Sequence, residues 1–590
     1  MYPGTIFNWH DQSEIKTVTN VTNVDDSPLL LQVFSSDKGT EDMIEVSGSD
    51  FKAMYGEMDF AKHGQSAIQA AAIVEAGGRL LAKRVVATDS TLASVVFVAN
   101  VTVIPHDDEP AVPDIAKVKW TTQTITGCKT FEEINAQALA LLDEDQGVYP
   151  LIVVTDNGRG KSLKAVRFNP DYATSKTIGK MFYTLGVYEG TSITEQKAVS
   201  LDPTVVYNNN AYRLDRYTCT QVVGEVNETV FDKYVEKLVA TLLIETDVLR
   251  NYDLIYGYTN TGAPIPNFEL DSESVDLDQT NGVELAGGVN GAFGNTPCKT
   301  DAWTTAIAEF FSGTDPIVGE RVWDVDQYKV AAVCDANYPD LVKNAIADWT
   351  NFRQDCVFFR DYGLGLKTFL EIKAKYDSFA TKRSCFIMDY CTNYQIKDPI
   401  SKKNIEVTMT YDLAPILVTH IANNTFAPMA GFINGFILKN PIKGSINFTP
   451  INTPTINQKE AMEEIRVNYA IFEEDNCVVQ SCYTSQDKYT QLSYGNNVIA
   501  IQRVLRAVRT ACPKQRYSFT TSTDFTRYAT AVNNVLSNFT SNFATLNFIY
   551  QEDPLKASQK IFYAAIQFGF INWAQTEIFD IYAINENNLS

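Results

Sequence analysis

Asn157-Gly158-Arg159-Gly160-Lys161-Ser162 ends in the Gly-Lys-Ser of a phosphate-binding loop and follows an apolar strand, Leu151 to Thr155. A phosphate cradle also needs a glycine five residues before Gly160, where Thr155 stands, and a helix directly afterwards. Ala165 to Phe168 reads as a strand instead, so residues 157–162 are expected to form a surface hairpin that binds no nucleotide. The four histidines, His10, His63, His106 and His420, lie in no His-Glu-x-x-His pattern, and no Gly-x-Ser-x-Gly elbow occurs. They read as surface or core residues. Asp25-Asp26 and Asp107-Asp108-Glu109 lack the spacing of a calcium loop and read as solvated turns. Nothing marks a pair of carboxylates for glycoside chemistry. The expectation is a protein with no catalytic residue, no metal and no cofactor.

One cationic feature runs against the rest of the chain. Arg503, Arg506, Arg509, Lys514 and Arg516 fall between Ile501 and Thr520 without an intervening acid. Spacing of i, i+3, i+6 sets three guanidinium groups along one flank of a helix, beside an apolar stripe of Ile501, Val504, Leu505 and Val508. In a chain of net charge −22 such a flank is expected to meet an acidic partner surface. That overall charge disfavours nonspecific contact with nucleic acid or anionic membrane. Apolar stretches such as Met429 to Leu438 are too short and too interrupted for a membrane span. The N-terminus, with Asp11 and Glu14 and no apolar run, does not read as a signal peptide. Ten cysteines without a Cys-x-x-Cys pair read as reduced and buried; Cys385 with Cys391 and Cys477 with Cys482 fit no zinc ribbon. Sequons such as Asn20-Val21-Thr22 then carry no meaning.

These residues need a scaffold, and 590 residues exceed one core. Leu29 to Phe34 reads as a buried strand, Phe51 to Tyr55 as a short helix capped by Asp50 and ended by Gly56, and Ser66 to Ala76 as a helix stopped by Gly77-Gly78. Leu80 to Val86 follows as a strand, making a strand–helix–strand unit. Residues 100–215 lose helical periodicity except near 131–142 and read as a β-rich insertion. A helical stripe is expected at Val230, Tyr234, Leu238 and Leu242, widened by Phe231, Val235 and Val239. Further helices are expected near 301–312 and 338–350, with strand and helix alternating from 320 to 390. In the last 130 residues, Lys459 to Arg466 and Asn497 to Thr510 read as helices and Cys477 to Tyr483 as a strand. Val532, Leu536, Phe539, Phe543 and Leu546 are expected on one further helix. No 20–50-residue repeat is present, which excludes solenoids and propellers.

The two ends differ from this body. Residues 16–24 carry Thr17, Val18, Thr19, Val21 and Val24, too few large apolar groups for a core. Residues 577–584 carry Ile578, Phe579, Ile581, Tyr582 and Ile584. Both read as strand arms, and an exposed strand invites pairing with another chain.

In order along the chain, several short motifs resemble those of the tail sheath proteins of contractile bacteriophage tails, which are related to the sheaths of other contractile injection machines. Tyr2-Pro3-Gly4 is similar to the family's opening turn. Leu31 to Gly39, ending Ser-Asp-Lys-Gly, resembles its strand and turn, with Thr40 in place of proline. Asp50 to Gly56, Gly77-Gly78 and Arg84-Val85 resemble the stretches that follow. Leu285-Ala286-Gly287-Gly288-Val289-Asn290-Gly291 resembles the glycine-rich loop, with Asn290 replacing its acid. Phe426-Ala427-Pro428-Met429-Ala430-Gly431 resembles the segment that opens the C-terminal domain. Met388-Asp389-Tyr390 departs from the strand that many members carry there.

The resemblance implies an α/β and α+β multidomain fold: mixed α/β layers, a β-rich insertion and extended terminal strand arms. The divisions it implies are an arm at 1–27, an α/β sheath domain at 28–99 and 216–425, and an outward-facing insertion at 100–215. A C-terminal domain facing the tube would span 426–573 and a second arm 574–590. Stacked hexameric rings would surround a tail tube, each copy joined to its neighbours through the arms, and contraction would need no nucleotide. Implied partners are other copies, the tube protein, and the baseplate and tail terminator proteins. Arg503, Arg506, Arg509, Lys514 and Arg516 would face the tube. The resemblance also implies a place in the virion tail after assembly in the bacterial cytoplasm. The competing expectation is a non-contractile structural component such as a baseplate protein.

Overall fold

The computed structural model describes residues 29–571 apart from short stretches, the longest being 105–114, 212–237, 292–300, 512–521 and 551–563. The arm residues at 17–24 and 578–584, Lys514, Arg516 and the expected helix at 230–237 lie outside the described residues. The fold is a mixture of α and β with several separate sheets.

β1 (Leu29–Phe34) is buried at every position, as a strand covered on both faces must be. Its side chains divide by parity: Leu30 and Phe34 enter one core, while Leu29, Leu31 and Val33 enter another. β2 (Met43–Val46) and β3 (Arg79–Arg84) complete its side of a six-stranded sheet. The order is Ile387–Tyr390, Val357–Asp361, Ala332–Cys334, β1, β3, β2, all parallel except β2. α1 (Asp50–Tyr55) and α2 (Phe60–Glu75) precede β3. The Asp59 carboxylate caps α2 by accepting from the Ala61 N–H, and a break at Gly64, φ 70°, turns its first residues away from the rest. α2 packs with the Thr410–Asn423 helix on one face of the sheet, and helices Asp301–Ser312 and Asp340–Arg353 cover the other. Burial of such large side chains stabilises by about 1.5–3 kcal/mol each. The parallel unit expected from residues 28–86 is present, as are the two helices and the alternation through residue 390.

The β-rich region is a pair of facing sheets. β4 (Leu92–Ile104), β5 (Ile115–Gln123) and β6 (Val148–Arg159) pair antiparallel; the first sheet runs Leu238–Leu242, β6, β4, β5, Phe268–Leu270. β7 (Lys164–Pro170), β8 (Phe182–Glu189) and β9 (Ser192–Ser200) form the second with Val283–Glu284 at its edge. Phe97, Trp120, Val154, Phe168 and Leu185 are among the core side chains between them. α3 (Phe131–Leu139) starts at a capping box of Thr130 and Glu133.

Three sequence expectations need correction here. Leu238, Val239 and Leu242 are not helical: residues 238–242 pair with β6 from Asp156 to Ile152. A sheet edge in need of a partner outweighs a helical stripe in five residues that fit both periods. The insertion therefore starts at Leu92 and draws in strands as late as Glu284, well beyond the expected limits of 100 and 215. Residues 157–162 form no surface hairpin, because β6 and β7 belong to different sheets and Gly158 and Gly160 are buried, the first against Glu41 and the second against Arg84 and Asn290.

Among the described residues the C-terminal part does not have a core of its own. Val498, Val504, Val508, Val532 and Leu536 join the same apolar cluster as Leu30 and Leu80. Helices Gly495–Ala511 and Ser522–Ser537 supply them. The latter ends before Phe543 and Leu546, against expectation; Leu546 lies in a hairpin of Thr545–Tyr550 with Ala564–Gly569. A loop from Gly431 to Gly435, whose ends have φ of 84° and 77°, exposes Phe432 and Ile433.

Candidate functional site

The carboxyl ends of β1 and β3 meet the start of the β-rich region, and the motifs quoted above converge there. Arg84, the last residue of β3, is 1 % exposed. Its guanidinium donates to the Gly39 carbonyl at 3.0 Å, the Arg159 carbonyl at 3.1 Å and Asn290 Oδ1 at 2.8 Å. Three segments remote in sequence are thus held by one side chain. Asn290 Oδ1 also accepts from the Lys161 N–H at 2.9 Å, and its amide donates to the Asp37 carbonyl at 3.4 Å. Gly160 has φ +99°, and a Cβ there would come within 2.3 Å of Asn290 Oδ1; one on Gly288 would reach the Gly160 carbonyl at 2.1 Å. Glycine is required at both positions because chain crosses chain.

Charged partners surround this joint. Lys83, wholly buried, donates to the Glu41 carbonyl at 2.6 Å and pairs with Asp315 at 3.1 Å. Glu41 accepts from the Arg159 N–H at 2.7 Å. Burial pushes the Glu41 carboxyl upward, against the pull of Arg159 and Lys83. Asp156 binds the Lys164 ammonium at 2.6 Å, the Gly158 N–H and the Ser162 hydroxyl.

Beside the joint a pocket of about 460 Å³ opens between Asp37, Lys62, His63, Lys161 and residues 288–291. His63 Nδ1 lies 3.0 Å from Ser35 Oγ and its Nε2 lies 3.2 Å from Asp37 Oδ1. Sequence reasoning left this Ser–His–Asp row unseen, because 28 residues separate Ser35 from His63 and no motif spans them. The row is reversed for hydrolysis: Ser35 is 0 % exposed and Asp37 faces the opening, whereas a nucleophile must face its substrate. Burial holds the His63 imidazole below its ordinary pKa, with Asp37 opposing. Burial raises the Asp37 carboxyl, but His63 and Lys62 outweigh it and keep the group below its usual range.

A second polar cluster occupies the ends of the remaining parallel strands. Lys343 lies 2.6 Å from both Asp335 and Asp361, and all three are at most 1 % exposed. Thr408, Thr410 and Gln65 extend the network to the neighbouring helices. Burial and the nearby Asp361 push Asp335 up to about 7. Asp361 is held down despite its burial, by Lys343 and by donors from Asn337 and Thr408. In open α/β sheets ligands bind outside the carboxyl ends of the strands; here the chain's own ammonium fills that place.

The arginine row is turned inward. Arg503, Arg506 and Arg509 are 6 %, 8 % and 7 % exposed. Arg506 donates to the Asp355 carbonyl at 3.0 Å, Arg509 lies 3.6 Å from the Asp355 carboxylate, and Arg503 sits 6.0 Å from the Phe426 ring centre. Gln502 donates to the Cys356 carbonyl at 2.8 Å. This corrects the expectation of an open cationic flank. Asp355, which meets Arg506 through its carbonyl and Arg509 through its carboxylate, lies about 150 residues earlier in sequence and could not be seen beside the row. Of the seven described cysteines six are buried. Among the described residues no helix is long and apolar enough to cross a membrane.

No known family profile and no curated protein matches the chain. Solved structures similar to it include sheath tail proteins and chains of contractile sheath and baseplate assemblies. The sheath tail protein from Listeria innocua has a TM-score of 0.42 at 8% identity, over 89% of this chain and 87% of that one. The sheath tail protein from Desulfitobacterium hafniense has a TM-score of 0.39 at 10% identity, over 91% and 93%. The contracted sheath of an extracellular contractile injection system has a TM-score of 0.37 at 13% identity, over 47% and 76%.

Proposed function

We propose that this chain is a structural, non-enzymatic subunit of a contractile sheath, stacked in rings around an inner tube and linked to other copies through its terminal strands. The observation that carries the reading is the hairpin Thr545–Tyr550 with Ala564–Gly569. It is a two-stranded sheet whose outer edges meet no further strand among the described residues. Leu546, Phe548, Ile566 and Phe568 pack it against the main core. A two-stranded sheet with one anchored face and open edges is an acceptor for added strands. Residues 16–24 and 577–584 are of the composition to add to it. The order of motifs along the chain supports the same reading.

Head-to-tail strand exchange builds open helical assemblies, and ladders can persist while the bodies rotate between an extended and a contracted lattice. Contact with an acidic tube falls to Lys514 and Arg516, beyond the inward-facing arginines, which brace the helix that leads to them. Baseplate and terminator proteins would meet the ends of the sheath, in a virion tail or a related injection device.

Deletion of residues 1–24 or 574–590 tests the reading. Each truncated chain should stay folded by circular dichroism yet form no tubes in negative-stain microscopy. Ordered tubes from either truncation would reject strand exchange. A full-length chain that never polymerises would favour a non-contractile component instead.

A further inference from the structure

We infer that the pocket at the carboxyl ends of β1 and β3 receives an acidic side chain from a second copy of this chain. The inference rests on the reading of the chain as a self-assembling subunit and adds a specific contact to it. The pocket, about 460 Å³, has two lysines in its lining, Lys62 and Lys161. Its own acid, Asp37, is engaged at 3.3 Å by Lys62 and at 3.2 Å by His63. The Lys161 ammonium is exposed and forms no ion pair with any described residue. With His63 neutral, the pocket keeps one positive charge on a chain of net charge −22.

That contrast supplies the partner. Copies of so acidic a chain repel one another at long range, and an exposed cation with no ion-pair partner among the described residues is where a carboxylate of a neighbour gains by close approach. The wall opposite Lys161 is the glycine-rich loop 287–291, fixed by Arg84 and by the bond between the Thr91 N–H and the Val289 carbonyl at 3.0 Å. Gly288 and Gly291 leave its backbone open to a neighbour, with Val289 the one exposed apolar side chain beside them. The site is therefore formed before anything docks, and little ordering opposes binding.

Carbodiimide coupling joins an ammonium to a carboxylate in direct contact and tests the inference on assembled full-length protein. Tubes grown from a mixture of ordinary and 15N-labelled chains should yield Lys161 joined to Asp or Glu in mixed-isotope pairs. Lys161→Gln should abolish that link and raise the concentration needed for assembly by about 5-fold, as for one partly exposed ion pair. Links confined to single copies, or an unchanged assembly concentration in the variant, would overturn the inference while leaving the sheath reading intact. If the wild-type chain forms no tubes, that reading fails, and the pocket is judged on the monomer with acetate as probe. At matched ionic strength, replacing chloride by acetate should raise the Tm of the wild type more than that of Lys161→Gln. Equal shifts would remove the pocket as a carboxylate site.

Discussion

Lys343 and Arg84 are both buried cations at the carboxyl end of one sheet, yet they are satisfied in opposite ways. Lys343 lies between two carboxylates, Asp335 and Asp361, on strands that are already neighbours. Arg84 is bonded to two main-chain carbonyls and a neutral amide, drawn from segments near residues 39, 159 and 290. Charge matched by charge seals a unit that is complete in itself. A cation matched by neutral acceptors on separate segments works as a joint, because its partners converge only when those segments are in place. The first arrangement stores its cost in desolvation; the second spreads it over carbonyls that would otherwise be buried and unpaired.

The largest effect should come from breaking the sealed unit. Lys343→Met leaves two buried carboxylates without a cation and should destabilise by about 3–5 kcal/mol, read as a lowered Tm. Arg84→Met should cost less, about 2–3 kcal/mol for acceptors left partly unpaired. It should also raise amide hydrogen exchange in residues 37–41, 157–162 and 287–291 together, while the network around Lys343 stays protected. Exchange confined to one of the three segments would deny the joint.

Acidity sharpens the contrast further. Asp335 is pushed up to about 7, so its contribution to stability is full below the unfolded carboxylate range and is lost as pH rises through about 7. Asp335→Asn should flatten that part of the stability profile in urea titrations between pH 5 and 8. A profile unchanged by the substitution would reassign the proton to another group. The smallest effect is expected from Asn290→Asp, which restores the acid that the resembling loops carry. A carboxylate beside Arg84 gains attraction but loses the amide donor to the Asp37 carbonyl, for a net change under about 1 kcal/mol.

Much of the scaffold was legible in the residues. Leu29 to Phe34, with its unbroken apolar run, could only be a strand covered on both faces, and Gly77-Gly78 after an alanine-rich run marked a helix end. Helical periodicity near 131–142 marked α3. The failures share one cause, which is distance along the chain. Residues 238–242 became a strand because β6 lay beside them. Arg506 and Arg509 were read as an outward flank because Asp355 was out of view. His63 was set aside because Ser35 and Asp37 meet it only after α2 folds back on β1. The strand after the Gly-Lys-Ser stretch was legible on local grounds, but the place of that stretch, against Asn290, needed a partner 129 positions later.

The hairpin at 545–569 has one more implication. Two strands standing alone in water are at best marginal, so this pair owes its shape to the aromatic and aliphatic floor beneath it, where Phe543 meets Phe568 at 5.2 Å. Under the proposed strand exchange, an added strand would meet a pair already shaped by that floor, and growth would be limited by capture of the incoming arm, with the receiving molecule needing no rearrangement.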